Sequence, residues 1–456
     1  MMPPLTFNSA IYGSAWSGEA MAEIFDDIPR TRDWLEILAT LAEVQAEFGL
    51  IPEDAAKQLA AFCREFEVDD AFLAEVAAGY RETGHSTMGL IKAIQARTPG
   101  ESGEWFYYGT TVQDLTDTWM MRALKKARGL LEADLKAIAE ALAKLSRDHR
   151  DTVMPGRTHG QQGLPITLGF KTAGWLAEIE RHRQRLVEIA SRMDVGQLCG
   201  GVGSLSSLGP KALEIQARFC ERLGLQAPAI SWTVSRDVLA EWGNLLVLIA
   251  GTSDRIGHEV YNLQRSELGE VSEGFVKGTV GSITMPHKRN PEIAEHLGSL
   301  ARVVRANAQL LNEGLVHDHE RDGRSWKTEW HALPELTLAA GKSLNLLREM
   351  VSNLTVHPDR MLANLDASKG YTLSEAVMLA LAERVGKQTA HRLVYETAMC
   401  AAEQGMSLKQ AISREPAIME HFTAEEIDAL FDPAAHTGLC GPLVDRVLRA
   451  RGKDSC

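Results

Sequence analysis

The chain has little with which to build a disulfide or zinc scaffold. Its six cysteines (Cys63, Cys199, Cys220, Cys400, Cys440 and Cys456) are scattered, with no CxxC pair and no short-spaced framework, so free thiols in a reducing cytosol are expected. Long apolar runs are missing too: the stretch around residues 244–251 falls far short of the roughly 20 residues that a membrane-spanning helix needs. The opening MMPPLTFNSAIYGSAW has no basic segment leading into an apolar one, which predicts a cytoplasmic chain without an export signal. Neither a GxGxxG after a strand nor a Walker loop is present, which speaks against a bound nucleotide cofactor. Positive charge is in deficit. A formal net charge of −13 argues against nucleic acid or an anionic membrane as partner, although a small polyanion can be held wherever the local field is positive.

Period-two alternation is nearly absent, and there is no internal repeat or low-complexity tract. What dominates is the helical period. Residues 131–149, 171–193, 237–268, 292–313 and 331–353 place apolar residues three or four apart over several turns, often ending in basic residues. Five long helices in the middle of a 456-residue chain predict an all-α fold with a large core: an elongated bundle over residues 109–355, flanked by smaller helical domains over 1–108 and 356–456.

The most informative stretch is GTVGSITMPHKRNP, residues 278–291. It sets Gly278, Gly281, Ser282, two prolines and the run His287, Lys288, Arg289 between two helical segments, the composition of a mobile loop with hinge glycines that folds over something anionic. Pro291 suits the first turn of the following helix, which places Lys288, Asn290 and that helix's free N–H groups where a carboxylate would be held.

Three further polar clusters interrupt the helices. TGHSTMGLIKAIQ places His85 after Gly84 at the head of an apolar-periodic segment, where a histidine commonly caps or packs. YYGTTVQDLTDTWMMRAL opens on Gly109 and carries Thr110, Thr111, Gln113, Asp114 and Thr116 into a helix; an N-cap with a solvated first turn and a ligand site read alike here. MPGRTHGQQGLPITLG sets Arg157, Thr158, His159 and Gln161 between Gly156 and Pro165, a density of donors that suits a ligand or a surface loop. The one dense set of metal-ligating types, His317-Asp318-His319, stands beside Glu320 and Arg321 and reads as a salt-bridged turn, so no metal is expected.

The loop 278–291 resembles the GSSxMPxKxNP signature of the fumarase/aspartase superfamily, whose members add or remove groups across a fumarate-like double bond. GTTVQD is similar to that family's GATSQD and GRTHGQ to its THxQ region, so the resemblance runs over almost the whole chain. Within the superfamily it is greatest to the branch of adenylosuccinate lyase and 3-carboxy-cis,cis-muconate cycloisomerase. The resemblance implies an all-α homotetramer in which three subunits build each active site, a small polycarboxylate substrate and no cofactor. Carried over residue by residue, it makes Ser282 the catalytic base, with Ile283 where the family has a second serine. His159 and His85 become the acid candidates. Lys288, Asn290, Thr110, Thr111, Gln113, Thr158, Gln161 and Arg321 become substrate-binding residues.

The chemistry fits these residue types. Removing a proton next to a carboxylate leaves two negative charges on that group, so the intermediate must meet preorganised positive charge and N–H donors. Lys288, Asn290 and the helix after Pro291 offer them. Serine is a poor base in water and would act only where solvent is excluded and nearby dipoles stabilise its alkoxide. A histidine opposite it can protonate the leaving group, since it titrates near neutrality.

Several positions depart from the family's adenylosuccinate lyase pattern. Ile11-Tyr12 stands where that lyase has Arg-Tyr, and in HERDGRSWKTEW, Trp326 and Trp330 replace a serine and an arginine that bind the nucleotide phosphate. WKTEW and the EAMAEIFDD opening are similar to the cycloisomerase, whose bacterial members often have Trp at the position of His159 and lack His85. Val112 replaces the serine of TSQD, which alters the second carboxylate anchor. The expected function is therefore a cofactor-independent lyase that abstracts a proton alpha to a carboxylate of an N-substituted aspartate or related succinyl compound and eliminates fumarate by C–N cleavage. Carboxymuconate cycloisomerisation and epimerisation of an iminodisuccinate-type compound, in which the same carbanion is reprotonated, are the enzyme alternatives. An inactive structural relative is the reading from another class, and the intact set Ser282, Lys288, Asn290 and His159 argues against it.

Overall fold

The computed structural model describes residues 9–274, 284, 285 and 287–453. Ser282, Ile283, Gly278 and Gly281 lie outside these residues. Helices dominate the rest. α1 (Gly13–Trp16), α2 (Glu19–Phe25), α3 (Asp27–Glu47), α4 (Glu53–Glu65), α5 (Asp70–Thr83) and α6 (Met88–Gln95) precede the first long helix, α7 (Val112–Asp148). The other long helices are α8 (Leu168–Met193), α10 (Asp237–Leu263), α11 (Glu292–Glu313) and α12 (Gly323–Ser352), with α9 (Ala212–Arg222) between α8 and α10. α13 (Pro358–Asp366), α14 (Ser374–Val385), α15 (Lys387–Glu403), α16 (Leu408–Ile412), α17 (Pro416–Met419), α18 (Ala424–Leu430) and α19 (Cys440–Lys453) follow. Among the described residues no helix is long and apolar enough to cross a membrane, and the cysteines Cys63, Cys199, Cys220, Cys400 and Cys440 are free.

Four of the five predicted helices coincide with α8, α10, α11 and α12. The fifth, 131–149, is only the second half of α7. Its first half, read from the sequence as a helix entered after Gly109, buries Asp114, Asp117 and Thr118, polar groups paired inside the protein, and they break the apolar period that would have joined the two halves.

By packing, the chain divides into two compact units: Met1–Asp134 with Arg183–Gly251 and Ser299–Asn345, and Leu135–His182 with Thr252–Gly298 and Leu346–Cys456. Each of the five long helices gives a length to both. In the first unit Trp242 of α10 is fully buried, and its indole N–H donates to the Thr337 hydroxyl of α12 at 3.0 Å. A Cβ at Gly243 would lie 2.8 Å from Leu311 Cδ1 of α11, so glycine is what lets the two helices approach there. Gly257, about four turns further along α10, plays the same part in the second unit, where a Cβ would come within 2.9 Å of Leu297. The second unit also holds a separate apolar cluster of α14 to α18, including Val377, Leu381, Leu408, Ile412 and Ile427.

The stretch MPGRTHGQQGLPITLG is not an irregular loop. It forms a hairpin of β1 (Val153–Thr158) and β2 (Gln161–Thr167), with an irregularity between Pro155 and Arg157. Pro155 faces Pro165 in the register; neither can donate to the ladder, which is tolerable in a two-stranded ribbon. A second, two-residue pair joins β3 (Val271–Ser272) to β4 (Thr355–Val356).

Trp242→Ala removes the largest fully buried side chain and should cost about 3–5 kcal/mol. Thr337→Val, which strands the indole N–H, should cost about 1–3 kcal/mol. Chemical denaturation of the two variants checks both values, and a neutral Thr337→Val would show that the indole donor finds another partner.

Candidate active site

The candidate residues fall into two groups, one in each unit. The first unit holds His85, Thr110, Thr111, Gln113 and Arg321. Gly84 ends α5 in the left-handed region, at φ 66, and brings His85 out three residues before α6. Its ring is exposed and its Nδ1 lies 3.4 Å from the Thr87 hydroxyl.

Thr110 and Thr111 lead into α7 and are gripped from beneath by Asp114. One carboxylate oxygen of Asp114 accepts the backbone N–H of Cys199 at 2.7 Å. The other accepts N–H of Thr111 at 2.9 Å, N–H of Gly200 at 3.1 Å and the Thr110 hydroxyl at 3.2 Å. Burial pushes this carboxyl up to about 6, against the opposing pull of those donors. Above it, Nη1 of Arg321 donates to the Thr111 hydroxyl at 3.0 Å, while its Nε and Nη2 are buried with no acceptor among the described residues. A guanidinium with donors left over beside a hydroxyl has the hydrogen-bonding groups that a carboxylate would need.

Gln113 faces inward. It is fully buried, and its amide nitrogen donates to Asp117 at 3.3 Å and to the Thr233 carbonyl at 3.2 Å. It braces the first turn of α7 from inside, because its side chain leaves the helix on the core face. Asp117 in turn joins a buried triad: Arg236 donates to Asp117 at 2.8 and 3.1 Å and to Glu329 through Nε at 2.8 Å. Burial pushes the Glu329 carboxyl up, against the pull of Arg236.

His159, Thr158, Gln161, Lys288 and Asn290 belong to the second unit. His159 and Gly160 form the two-residue turn of the hairpin at φ 52 and 75, the left-handed pair that a tight hairpin turn demands. This leaves His159, Thr158 and Gln161 exposed. The hairpin is anchored at Arg157, which makes a two-pronged pair with the fully buried Glu270 at 2.5 and 2.9 Å; Asn364 donates to the same carboxylate at 2.7 Å.

The N-terminus of α11 departs from the sequence expectation twice. Pro291 lies just before the helix rather than in its first turn, its carbonyl accepting the N–H of Glu295 at 3.0 Å. The helix's N–H groups are also not free: Ile293 and Ala294 donate to the Glu273 carboxylate at 3.1 and 2.7 Å. The protein's own acid takes the place expected for a ligand. Gln264 reinforces this corner, accepting N–H of Glu273 at 2.7 Å and donating to the Arg289 carbonyl at 3.4 Å. Lys288 is exposed, and Asn290 makes a long contact to Glu292 at 3.4 Å. The turn at 317–319 is ion-paired, through Arg324 rather than Arg321, with Asp318 at 2.6 Å and Asp322 at 2.7 Å.

Sequence reasoning did not find Glu270, Glu273, Arg236 or Glu329. Glu270 and Glu273 stand close before the signature loop, the only hint available, but a lone acid does not announce which distant donor it meets.

An all-α chain with these clusters in this order belongs to the fumarase/aspartase superfamily and is a lyase. A lyase family model matches residues 16–306 and an adenylosuccinate lyase C-terminus model matches residues 370–447. Among individual relatives, the chain is 41% identical over 435 residues, 95% of each chain, to N-acetyl-S-(2-succino)cysteine lyase of Enterococcus italicus. It is 36% identical to 3-carboxy-cis,cis-muconate cycloisomerase of Pseudomonas aeruginosa, over 96% of this chain and 95% of the other. The solved 3-carboxy-cis,cis-muconate lactonizing enzyme of Pseudomonas putida has a TM-score of 0.92 at 33% identity, over 98% of this chain and all of that one.

Asp114 gives a pH signature. Its folded value of about 6 lies above the unfolded value of about 4, so between them the folded chain keeps a proton that the unfolded chain has lost. This contribution to stability is complete below about pH 4 and is lost as the pH rises through about 6. Relative to Asp114→Asn, which cannot ionise, the wild type should lose about 3 kcal/mol across that window. Denaturation at a series of pH values reads the difference, and parallel curves would show an unshifted carboxyl.

Proposed function

We propose that the chain eliminates fumarate from a 2-succinyl compound, with a succinyl thioether as the favoured substrate class and an N-succinyl compound as the alternative. The reading rests on the relative that is 41% identical over 95% of both chains, whose name puts the succinyl group on cysteine sulfur. The unpartnered donors of Arg321 beside Thr111 support it, because a succinyl group carries two carboxylates and needs an anchor away from the reacting carbon.

In this mechanism Ser282 removes the proton next to one carboxylate, and Lys288 and Asn290 meet the charge that develops there. Thr110, Thr111 and Arg321 hold the other carboxylate, the grip of Asp114 fixing the two threonines. His159, with His85 as the second candidate, protonates the leaving atom; Thr158 and Gln161 flank it on the hairpin. The chemistry needs no cofactor. The same reading makes the chain a cytoplasmic homotetramer with active sites shared among subunits, which gives the exposed His159 and Lys288 a neighbouring subunit to face.

The leaving atom decides how much acid help is needed. A cysteine thiol ionises at about 8.5, whereas an amine anion is far too basic to depart unprotonated. His159→Gln should therefore slow cleavage of a succinyl thioether by less than about a hundredfold, and that of an N-succinyl amine by more, within the range of about 10²–10⁴ for general acid catalysis. Ser282→Ala should lose about a thousandfold or more on either. Fumarate release and proton NMR in D₂O with a single stereoisomer read all of this together, with 3-carboxymuconate in parallel. Isomer mixing without fumarate would establish an epimerase, and turnover of the muconate alone a cycloisomerase.

A further inference from the structure

A cavity of about 210 Å³ opens in the first unit beside the candidate residues. Ser86, next in sequence to His85, and Asp117, one turn beyond Asp114 on α7, are both in its wall. Six aromatic side chains line it as well: Phe25, Trp34, Tyr80, Trp119, Trp326 and Trp330. Trp326 meets Trp330 edge to face at 4.8 Å, and Trp34 meets Trp119 in the same way at 6.2 Å. Arg30 lies over two of these rings, its guanidinium carbon 5.4 Å from the centre of Trp34 and 5.6 Å from that of Trp119. Its outer edge pairs with Asp27.

Two donors in this wall lack partners. Nε of Arg30 and Nε1 of Trp34 are buried with no acceptor among the described residues, and leaving buried donors unpaired is costly. They belong to adjacent side chains, so one ligand group with two oxygens could satisfy both. The triad of Asp117, Arg236 and Glu329 in the same wall carries two acids against one base, which opposes a multiply charged phosphate. The cavity is also smaller than the roughly 300–1,000 Å³ that holds drug-sized ligands. Size and charge both weigh against a nucleotide.

We propose that this cavity takes the leaving-group half of the substrate and selects an amino-acid-sized thiol bearing one carboxylate. The rings pack the sulfur and its methylenes, since thioethers favour aromatic edges, and Arg30 with Trp34 binds the carboxylate through charge-assisted hydrogen bonds. This inference rests on the proposal above that a succinyl thioether is cleaved.

N-acetyl-S-(2-succino)cysteine and N-acetyl-S-(2-succino)cysteamine differ only in that carboxylate. The wild type should prefer the first by about ten- to a hundredfold in kcat/KM. Arg30→Met should bring the ratio close to one, and Trp34→Phe, which keeps a ring and removes only the donor, should lower it part of the way. A wild type that treats the two alike, or a preference untouched by Arg30→Met, would overturn the cavity's assignment while leaving the reaction intact. Calorimetric binding of the free thiols N-acetylcysteine and N-acetylcysteamine reads the cavity without turnover. If neither thioether releases fumarate but N-acetylcysteine still binds better in an Arg30-dependent way, the reaction falls and the pocket stands. No such preference in either measurement removes the pocket.

Discussion

A carboxylate taken out of water must find donors, and three in this chain find them in the segments that carry the candidate residues. Asp114 collects Thr110, Thr111 and the 199–200 backbone. Glu270 collects Arg157 of the hairpin and Asn364. Glu273 collects the first N–H groups of α11. In each case the dependence runs both ways: the buried carboxylate has no donors without these segments, and their buried N–H groups have no acceptor without the acid. That mutual need fixes irregular backbone more firmly than the few apolar contacts of a short loop could. It also gives polar side chains fixed positions before a substrate arrives, the condition for electrostatic catalysis.

The occupied N-terminus of α11 moves a burden elsewhere. With Glu273 on Ile293 and Ala294, the helix cannot offer those N–H groups to a substrate carboxylate. On the proposed mechanism the charge then falls to side chains: Lys288 and Asn290 at one carboxylate, Arg321 and Thr111 at the other. Val112 points the same way, because it is buried in the core and supplies no hydroxyl where the related enzymes have serine. The remaining threonine, tied to Arg321 at 3.0 Å, is what this chain has in its place.

Periodicity made the long helices legible because their apolar stripes repeat over many turns, and the signature loop was legible because its residue types are jointly improbable. The first half of α7 was legible as a helix but not as a buried one, since its acids and hydroxyls look like a solvated first turn until their partners at Cys199, Gly200, Thr233 and Arg236 are known. The hairpin was hidden for a different reason: two strands bracketed by glycine and proline are too short to display alternation. The inward placement of Gln113 was not legible either, because a glutamine's spacing does not say which side of a helix will be core. The case of α7 concerns long-range pairing, which a local pattern does not encode.

Trp326 and Trp330, which stand where the resemblance to adenylosuccinate lyase places a phosphate-binding serine and arginine, have an energetic consequence for the reaction proposed. Trp326 is nearly buried and packs against Trp330, so these two rings offer dispersion and a ring quadrupole where a serine and an arginine would offer a donor and a cation. A multiply charged phosphate there would lose its hydration and find only Arg30 and Arg236 in the wall, each already paired with acids. A thioether loses little hydration and gains contact with aromatic edges. The same substitution that removes a nucleotide thus favours a sulfur leaving group, and sulfur relaxes the demand on the acid opposite the base. On that view the strongest selection in this site falls on stabilising the carbanion, and the protonation step becomes the easier half of the chemistry.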